Sequence, residues 1–195
     1  MHIGVFGGTF DPPHIAHSIL VNEVLQKNIF DQVWYLPVKI HQSIFAKDSL
    51  AIDHRLKMLS FIQTDQTRVE LFEVDSNQES HTHSTLRALQ KKHPNHTFSF
   101  LMGADQLPKL HLWNCEQDRQ CFPEAADEFK YYIYPRKGYS LDCPYSNFKI
   151  IKQVTPMGVS SSEVRAKLAD NVSVADLLQP QVLQYIVEKN LYGAI

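Results

Sequence analysis

Eleven residues near the start of the chain, "GGTFDPPHIAH" from Gly7 to His17, combine residue types that can act on phosphates. Gly7 and Gly8 permit a sharp turn and a close backbone approach, with N–H groups turned outward as an anion nest. Thr9 adds a hydroxyl donor. A helix starting near Pro13 aims its N-terminal amides and partial positive charge back at the same place. His14 and His17 lie one turn apart on it, so two imidazoles able to carry charge face the turn. Amides, dipole and imidazoles together describe a polyphosphate site, each charge-assisted hydrogen bond being worth roughly 1.5–3 kcal/mol. Two common phosphate loops are excluded, because neither G-x-x-x-x-G-K-[ST] nor, after the first strand, G-x-G-x-x-G is present. Taken alone, H-x-x-H also reads as a solvated helix cap, or as a metal pair that lacks an obvious third ligand.

A second stretch, "GVSSSEVR" (158–165), places Ser160, Ser161 and Ser162 at a helix N-terminus with hydroxyls and amides aimed at anions. Arg165, one turn on, can fork onto a terminal phosphate. The plainer alternative is a serine N-cap beside a surface arginine.

Elements must bring these stretches together. Runs of strand length, 2–6, 32–37, 68–74, 97–103, 129–135 and 148–154, alternate with segments of helical period. Helices are expected over Ile15–Asn28, over Ser84–Lys92, over Ser160–Ala169, over Pro180–Glu188, and behind an Asp53 N-cap with Leu56, Leu59 and Phe61 buried. Short helical pieces fill roughly 105–126. Strands separated by helices give an α/β fold: a Rossmann-like, doubly wound, mainly parallel sheet of about six strands with helices on both faces. Ligands bind such sheets beyond the carboxyl ends of the strands, where strand order reverses. The loop after strand one therefore faces the loop after strand four, with Gly103 and Asp105. Four of the seven glycines, Gly7, Gly8, Gly103 and Gly158, fall in turns bordering that crevice.

A length of 195 residues gives one domain, 1–195, with the C-terminal helical segment (about 160–190) packed on it. A formal net charge of −2 without a basic stripe or polybasic block argues against a nucleic-acid or membrane-surface binder. No apolar run approaches the ~20 residues that cross a bilayer. Cys115, Cys121 and Cys143 lack C-x-x-C spacing. With no signal-peptide pattern at the start, they suggest free thiols in a cytoplasmic protein.

"GTFDPPHIAH" resembles the G-[ST]-F-D-P-x-H-x-G-H signature of the nucleotidyltransferase superfamily, and "GVSSSEVR" resembles its I-S-[ST]-T-x-I-R segment. Ala16 stands where that family usually carries Gly, a methyl that would narrow the approach of a phosphate or base. The remaining chain resembles bacterial nicotinate-mononucleotide adenylyltransferases through "SHTHSTL" (80–86, His81 at a Tyr position), "FLMGADQLPKLHLW" (100–113), "PRKGY" (135–139) and "LLQPQVLQYIVEKNLY" (177–192).

This resemblance implies adenylyl transfer from ATP to nicotinate mononucleotide in NAD biosynthesis, with Mg²⁺ arriving on ATP and no protein-built metal site. His14, His17 and Arg165 would be catalytic. Gly7, Gly8, Thr9, Phe10, Gly103, Asp105, Ser160, Ser161 and Ser162 would bind ATP, Asp105 at the ribose. Thr82, Thr85, Trp113 and Arg136 would bind the mononucleotide, Trp113 by stacking on its pyridine ring. The family's P-x-x-x-P-P-H-[KR] loop is shortened here to "PVKIHQS" (37–43), with Gln42 at the basic position. His41 stands for the family histidine, and Lys39 supplies charge from a shifted register. Nicotinamide mononucleotide or another phosphate ester as acceptor, and a non-catalytic ATP-binding relative, remain alternatives. A homo-oligomer is compatible with the sequence.

Overall fold

Parallel strands cannot be joined by tight turns; each pair needs a crossover, and the helices of those crossovers cover the sheet faces. The computed structural model describes residues 1–39, 49–76, 79–113, 128–155 and 158–194. Its strands β1 (His2–Gly8), β2 (Gln32–Pro37), β3 (Thr67–Val69), β4 (Thr97–Gly103), β5 (Lys130–Tyr134) and β6 (Phe148–Ile150) form one sheet. Their order is β3-β2-β1-β4-β5-β6, with every neighbouring pair parallel. Order reverses between β1 and β4, where the crevice was expected.

Alternation along the central strands divides the core between the two faces. Phe6, Val33, Tyr35 and Leu101 face α1 (Ile15–Gln26), α2 (Ile52–Ser60), α5 (Ser161–Ala169) and α6 (Pro180–Glu188). Ile3, Val5, Trp34, Phe100 and Met102 face α4 (Thr82–Lys92) and a 3-10 helix at Ala104–Leu112. Both faces of β1 are thus covered, which is why "HIGVF" reads as a continuous apolar run.

Edge strands depart from expectation. β3 stops at Val69, because only Val33, Trp34 and Tyr35 of β2 pair with it. The rest of the expected strand 68–74 then turns into a short helix, α3 (Phe72–Ser76). β6 likewise pairs only along Tyr131–Ile133, and Ile151 and Val154, expected in strand, turn into the α1 face of the core. α1 begins at Ile15 with His14 as its N-cap, later than Pro13. α2 is capped by Ala51, and Asp53 sits in its first turn, where its charge suits the helix dipole. Its buried face is Arg55, Met58 and Leu59; of the expected stripe Leu59 is buried, while Leu56 and Phe61 are only partly so. Cys143 is a free thiol, while Cys115 and Cys121 lie outside the described residues.

Candidate active site

A cleft of about 550 Å³ opens at the carboxyl ends of β1 and β4. Gly7, Gly8, Thr9, Phe10, His14 and His17 form its floor, Gly103, Asp105, Arg136 and Trp113 one wall, and Thr82 a further part of the lining. Ser160, Ser161, Ser162 and Arg165 close it from α5. Lys39 and Thr85 stand outside this lining, and His41 and Gln42 lie outside the described residues. Gly158 does not border the cleft, so three of the four expected glycines do.

Gly7 and Gly8 are the last residues of β1, not a turn. Space is what they supply: a Cβ at Gly7 would lie 2.7 Å from Phe100 Cζ, and one at Gly103 would fall on Asp105 Oδ1. The turn itself comes at Phe10, whose φ of 50° is uncommon for a bulky residue. Its buried ring, packed edge-on against Phe6, Tyr35 and His17, over-determines that backbone. Phe10 thus shapes the loop and reaches the cleft from the core. Ala16 is buried and absent from the lining, so its methyl does not narrow the cleft.

His14 and His17 stack with ring centroids 3.7 Å apart. The backbone N–H of His14 donates to His17 Nδ1 at 3.0 Å, which places the His17 proton on Nε2. Loss of hydration, with the nearby Arg136 guanidinium, pushes His14 down to about 3. Burial, His14 and Arg136 hold His17 well below its ordinary value. Both rings are therefore neutral near pH 7, so the charge that the sequence left open to them is not carried there. Neutral imidazole still donates one N–H, and Arg136 provides a fixed positive charge beside the pair. Among the described residues no group of three or more His, Cys, Asp or Glu could hold a metal ion, so the metal-pair alternative finds no third ligand there.

At α5, Ser160 is the N-cap, its hydroxyl accepting from Glu163 N–H at 3.2 Å. Ser161 donates to the Pro12 carbonyl at 2.9 Å and so binds the helix N-terminus to the first motif. Arg165 Nη1 donates to the Asp11 carbonyl at 2.6 Å and lies 3.8 Å from the Asp11 carboxylate. Across the cleft, Asp105 faces Arg136 at 3.4 Å and accepts from Gln106 at 2.7 Å. Arg136, expected with the mononucleotide, is thereby placed beside the residue expected at the ATP ribose.

Thr82 opens α4, and Trp113 meets Phe100 edge-on at 6.0 Å. Thr85 is buried and its hydroxyl donates to Glu73 Oε1 at 2.8 Å, so its side chain is already used inside the protein. Lys39 Nζ donates to the Val74 carbonyl at 3.1 Å, away from the lining.

Sequence reasoning gave no role to Asp11, Arg55, Glu73 or Tyr192. Arg55, 1% exposed, donates to the carbonyls of Leu50, Thr9 and Val38 at 2.8–2.9 Å. It thus ties the first motif to both ends of the loop after β2. Glu73 lines the cleft although buried; burial raises its pKa, and Oε2 accepts no hydrogen bond among the described residues. An arginine on the Met58–Leu59 face of a helix was the available signal for Arg55. No comparable signal marks the other three.

The cytidylyltransferase-like family model matches residues 5–167. The probable nicotinate-nucleotide adenylyltransferase of Geobacillus thermodenitrificans is 33% identical over 194 residues, covering 98% of this chain and 86% of the relative. The nicotinate-nucleotide adenylyltransferase of Bacillus subtilis is 30% identical, covering 97% of each chain. In fold, the chain is similar to the Plasmodium falciparum nicotinic acid mononucleotide adenylyltransferase complexed with NaAD, at a TM-score of 0.79 and 22% identity, covering 100% of this chain and 98% of that one. With the cleft at the β1–β4 switch point, these likenesses converge on one assignment: the chain belongs to the cytidylyltransferase-like family and, within it, to the nicotinate-nucleotide adenylyltransferases.

Proposed function

We propose that the chain joins nicotinate mononucleotide and ATP to give nicotinate adenine dinucleotide and pyrophosphate, in NAD biosynthesis. The observation carrying this reading is a single cleft in which the His14–His17 pair, Arg136 and the α5 N-terminus converge between the expected ATP and acceptor sides. The acceptor phosphate is already an anion, so attack on the α-phosphorus needs no protein base. What the protein supplies is position and charge stabilisation. His17 donates from Nε2 and His14 from its own ring to the α-phosphate, while Arg136 offsets the growing charge. The α5 amides, Ser161, Ser162 and Arg165 receive the departing pyrophosphate. Gly7, Gly8, Thr9, Gly103 and Asp105 hold the nucleoside end, and Thr82 and Trp113 the pyridine end.

Magnesium enters as part of the ATP substrate, its charge shared with phosphates that these neutral and cationic donors also bind. Residues 1–195 act as one unit, a reading supported by the hydrogen bond from C-terminal Tyr192 to Asp11, and the protein works in the cytoplasm.

A second acceptor is favoured by Glu73, a carboxyl at the cleft lining of the kind that accepts from the N–H₂ of a carboxamide. The test is pyrophosphate release from MgATP with nicotinate and nicotinamide mononucleotides in parallel. Turnover with the acid well above the amide is expected. Turnover with the amide alone would reassign the acceptor, and turnover with neither would overturn the enzyme reading.

A further inference from the structure

We propose that Tyr192 is a positioning residue for adenylyl transfer, acting through Asp11 to set where Arg165 points. The inference rests on the reading above in one respect, that Arg165 serves the phosphate end of ATP. The Asp11 carboxylate is buried beside the cleft, and its two oxygens are used differently. Oδ1 accepts from the Tyr192 hydroxyl at 2.6 Å. Oδ2 accepts from Leu50 N–H at 3.3 Å and faces Arg165 Nη1 at 3.8 Å. Arg55 also faces this carboxylate, with its Nε and Nη1 donors committed to three carbonyls.

With Oδ1 held by Tyr192, Asp11 cannot turn both oxygens onto the guanidinium. Arg165 instead spends one N–H on the Asp11 backbone carbonyl and keeps Nη2 by the Ser162 hydroxyl, 3.4 Å away on the cleft wall. Removing the phenol hydroxyl frees Oδ1. The carboxylate then offers the bidentate pairing that arginine favours, and that pairing competes with phosphate. Tyr192 does not line the cleft, so it acts only through Asp11. Its hydroxyl stays protonated, because burial and the Asp11 carboxylate push its pKa up. The backbone around it is unusual: Tyr192 has φ 57° and Asn190 φ 50°, and between them Leu191 is anchored in the core. Two left-handed residues in one short turn are maintained where the surroundings over-determine them.

A double-mutant cycle on the full chain tests this, with Tyr192→Phe, Arg165→Ala and the pair, read by pyrophosphate release. Tyr192→Phe is expected to lower kcat/KM for ATP about tenfold, the scale of a hydrogen bond to a charged group. KM for the mononucleotide should stay unchanged. In the Arg165→Ala background the same change should cost less than about twofold, the mark of coupled neighbours. Equal losses in both backgrounds would make Tyr192 a purely structural contact and overturn the proposal, as would no loss in the wild-type background. Should Tyr192→Phe fail to fold, Asp11→Asn breaks the relay at its middle and runs the same cycle. If the wild-type protein releases no pyrophosphate with any mononucleotide, the functional reading fails instead. The affinities of the four proteins for ATP then read the same coupling.

Discussion

At the scale of single residues, the His14–His17 pair shows how a site can be electropositive without charged imidazoles. The protein removes water from both rings and sets Arg136 nearby, so a proton on either ring is opposed by lost hydration and by like charge. What remains are two neutral donors, one with its tautomer fixed by the His14 amide. This has a cost in acid. His14 titrates near 3 in the folded protein and near 6.5 when unfolded, so below pH 6.5 the unfolded chain binds a proton that the folded chain refuses. Stability from this group is complete above pH 6.5 and falls by up to about 1.4 kcal/mol per pH unit on the way down towards 3. We expect urea unfolding to show wild-type protein losing about 2 kcal/mol more than His14→Gln between pH 7.5 and pH 5. His2, His83 and His93, also held below their ordinary values, titrate alike in both proteins and cancel. His17, held down chiefly by its own burial and by Arg136 besides His14, keeps most of its shift when His14 is replaced. Parallel losses would show that His14 is freely hydrated.

At the scale of elements, α2 positions the site from a distance. It lies on the α1 face of the sheet, and one turn of it carries Arg55 inward to bind three carbonyls from two loops. Arg55→Leu leaves those carbonyls without their donor and Asp11 with Arg165 as its remaining neighbouring cation. We expect a loss of about 3–5 kcal/mol, the range for removing one member of a buried charged network, measured as the shift in urea unfolding free energy. A change under about 1 kcal/mol would mean that water replaces the guanidinium easily. Arg55 also marks the limit of what the sequence discloses. The motif residues and β1, β2, β4 and β5 are legible because their signals are local: glycine and histidine spacing, and apolar runs buried on both faces. β3 and β6 overran because Phe72, Ile151 and Val154 pack against the core from outside the sheet, which no local pattern separates from strand. Asp11, Glu73 and Tyr192 acquire their roles only from partners 12 to 181 residues away. Lys39 and Thr85 carry the right chemistry, but a carbonyl and a buried carboxyl have claimed it.

At the scale of the whole molecule, the C-terminal helix and turn are part of the core that carries the cleft rather than an appendage to it. Val182 and Ile186 of α6 are fully buried, and Leu191 joins them against Met58, Leu59 and the α1 side chains. The turn that follows sends Tyr192 back to Asp11, 181 positions earlier in the chain. A chain ending at Gln179 would expose the faces these residues cover and free the Asp11 carboxylate at once. Each fully buried aliphatic side chain is worth about 1.5–3 kcal/mol, so three of them approach the 5–15 kcal/mol net stability of an ordinary domain. The shortened chain is therefore expected to lose its cooperative unfolding transition, followed by circular dichroism in urea, and with it ATP binding. Retention of a sharp transition with ATP affinity intact would mean that β1–β6 and α1–α5 form a self-sufficient unit. Loss of ATP affinity with folding preserved would locate the contribution of the C-terminus in the Tyr192–Asp11 contact instead of in the core.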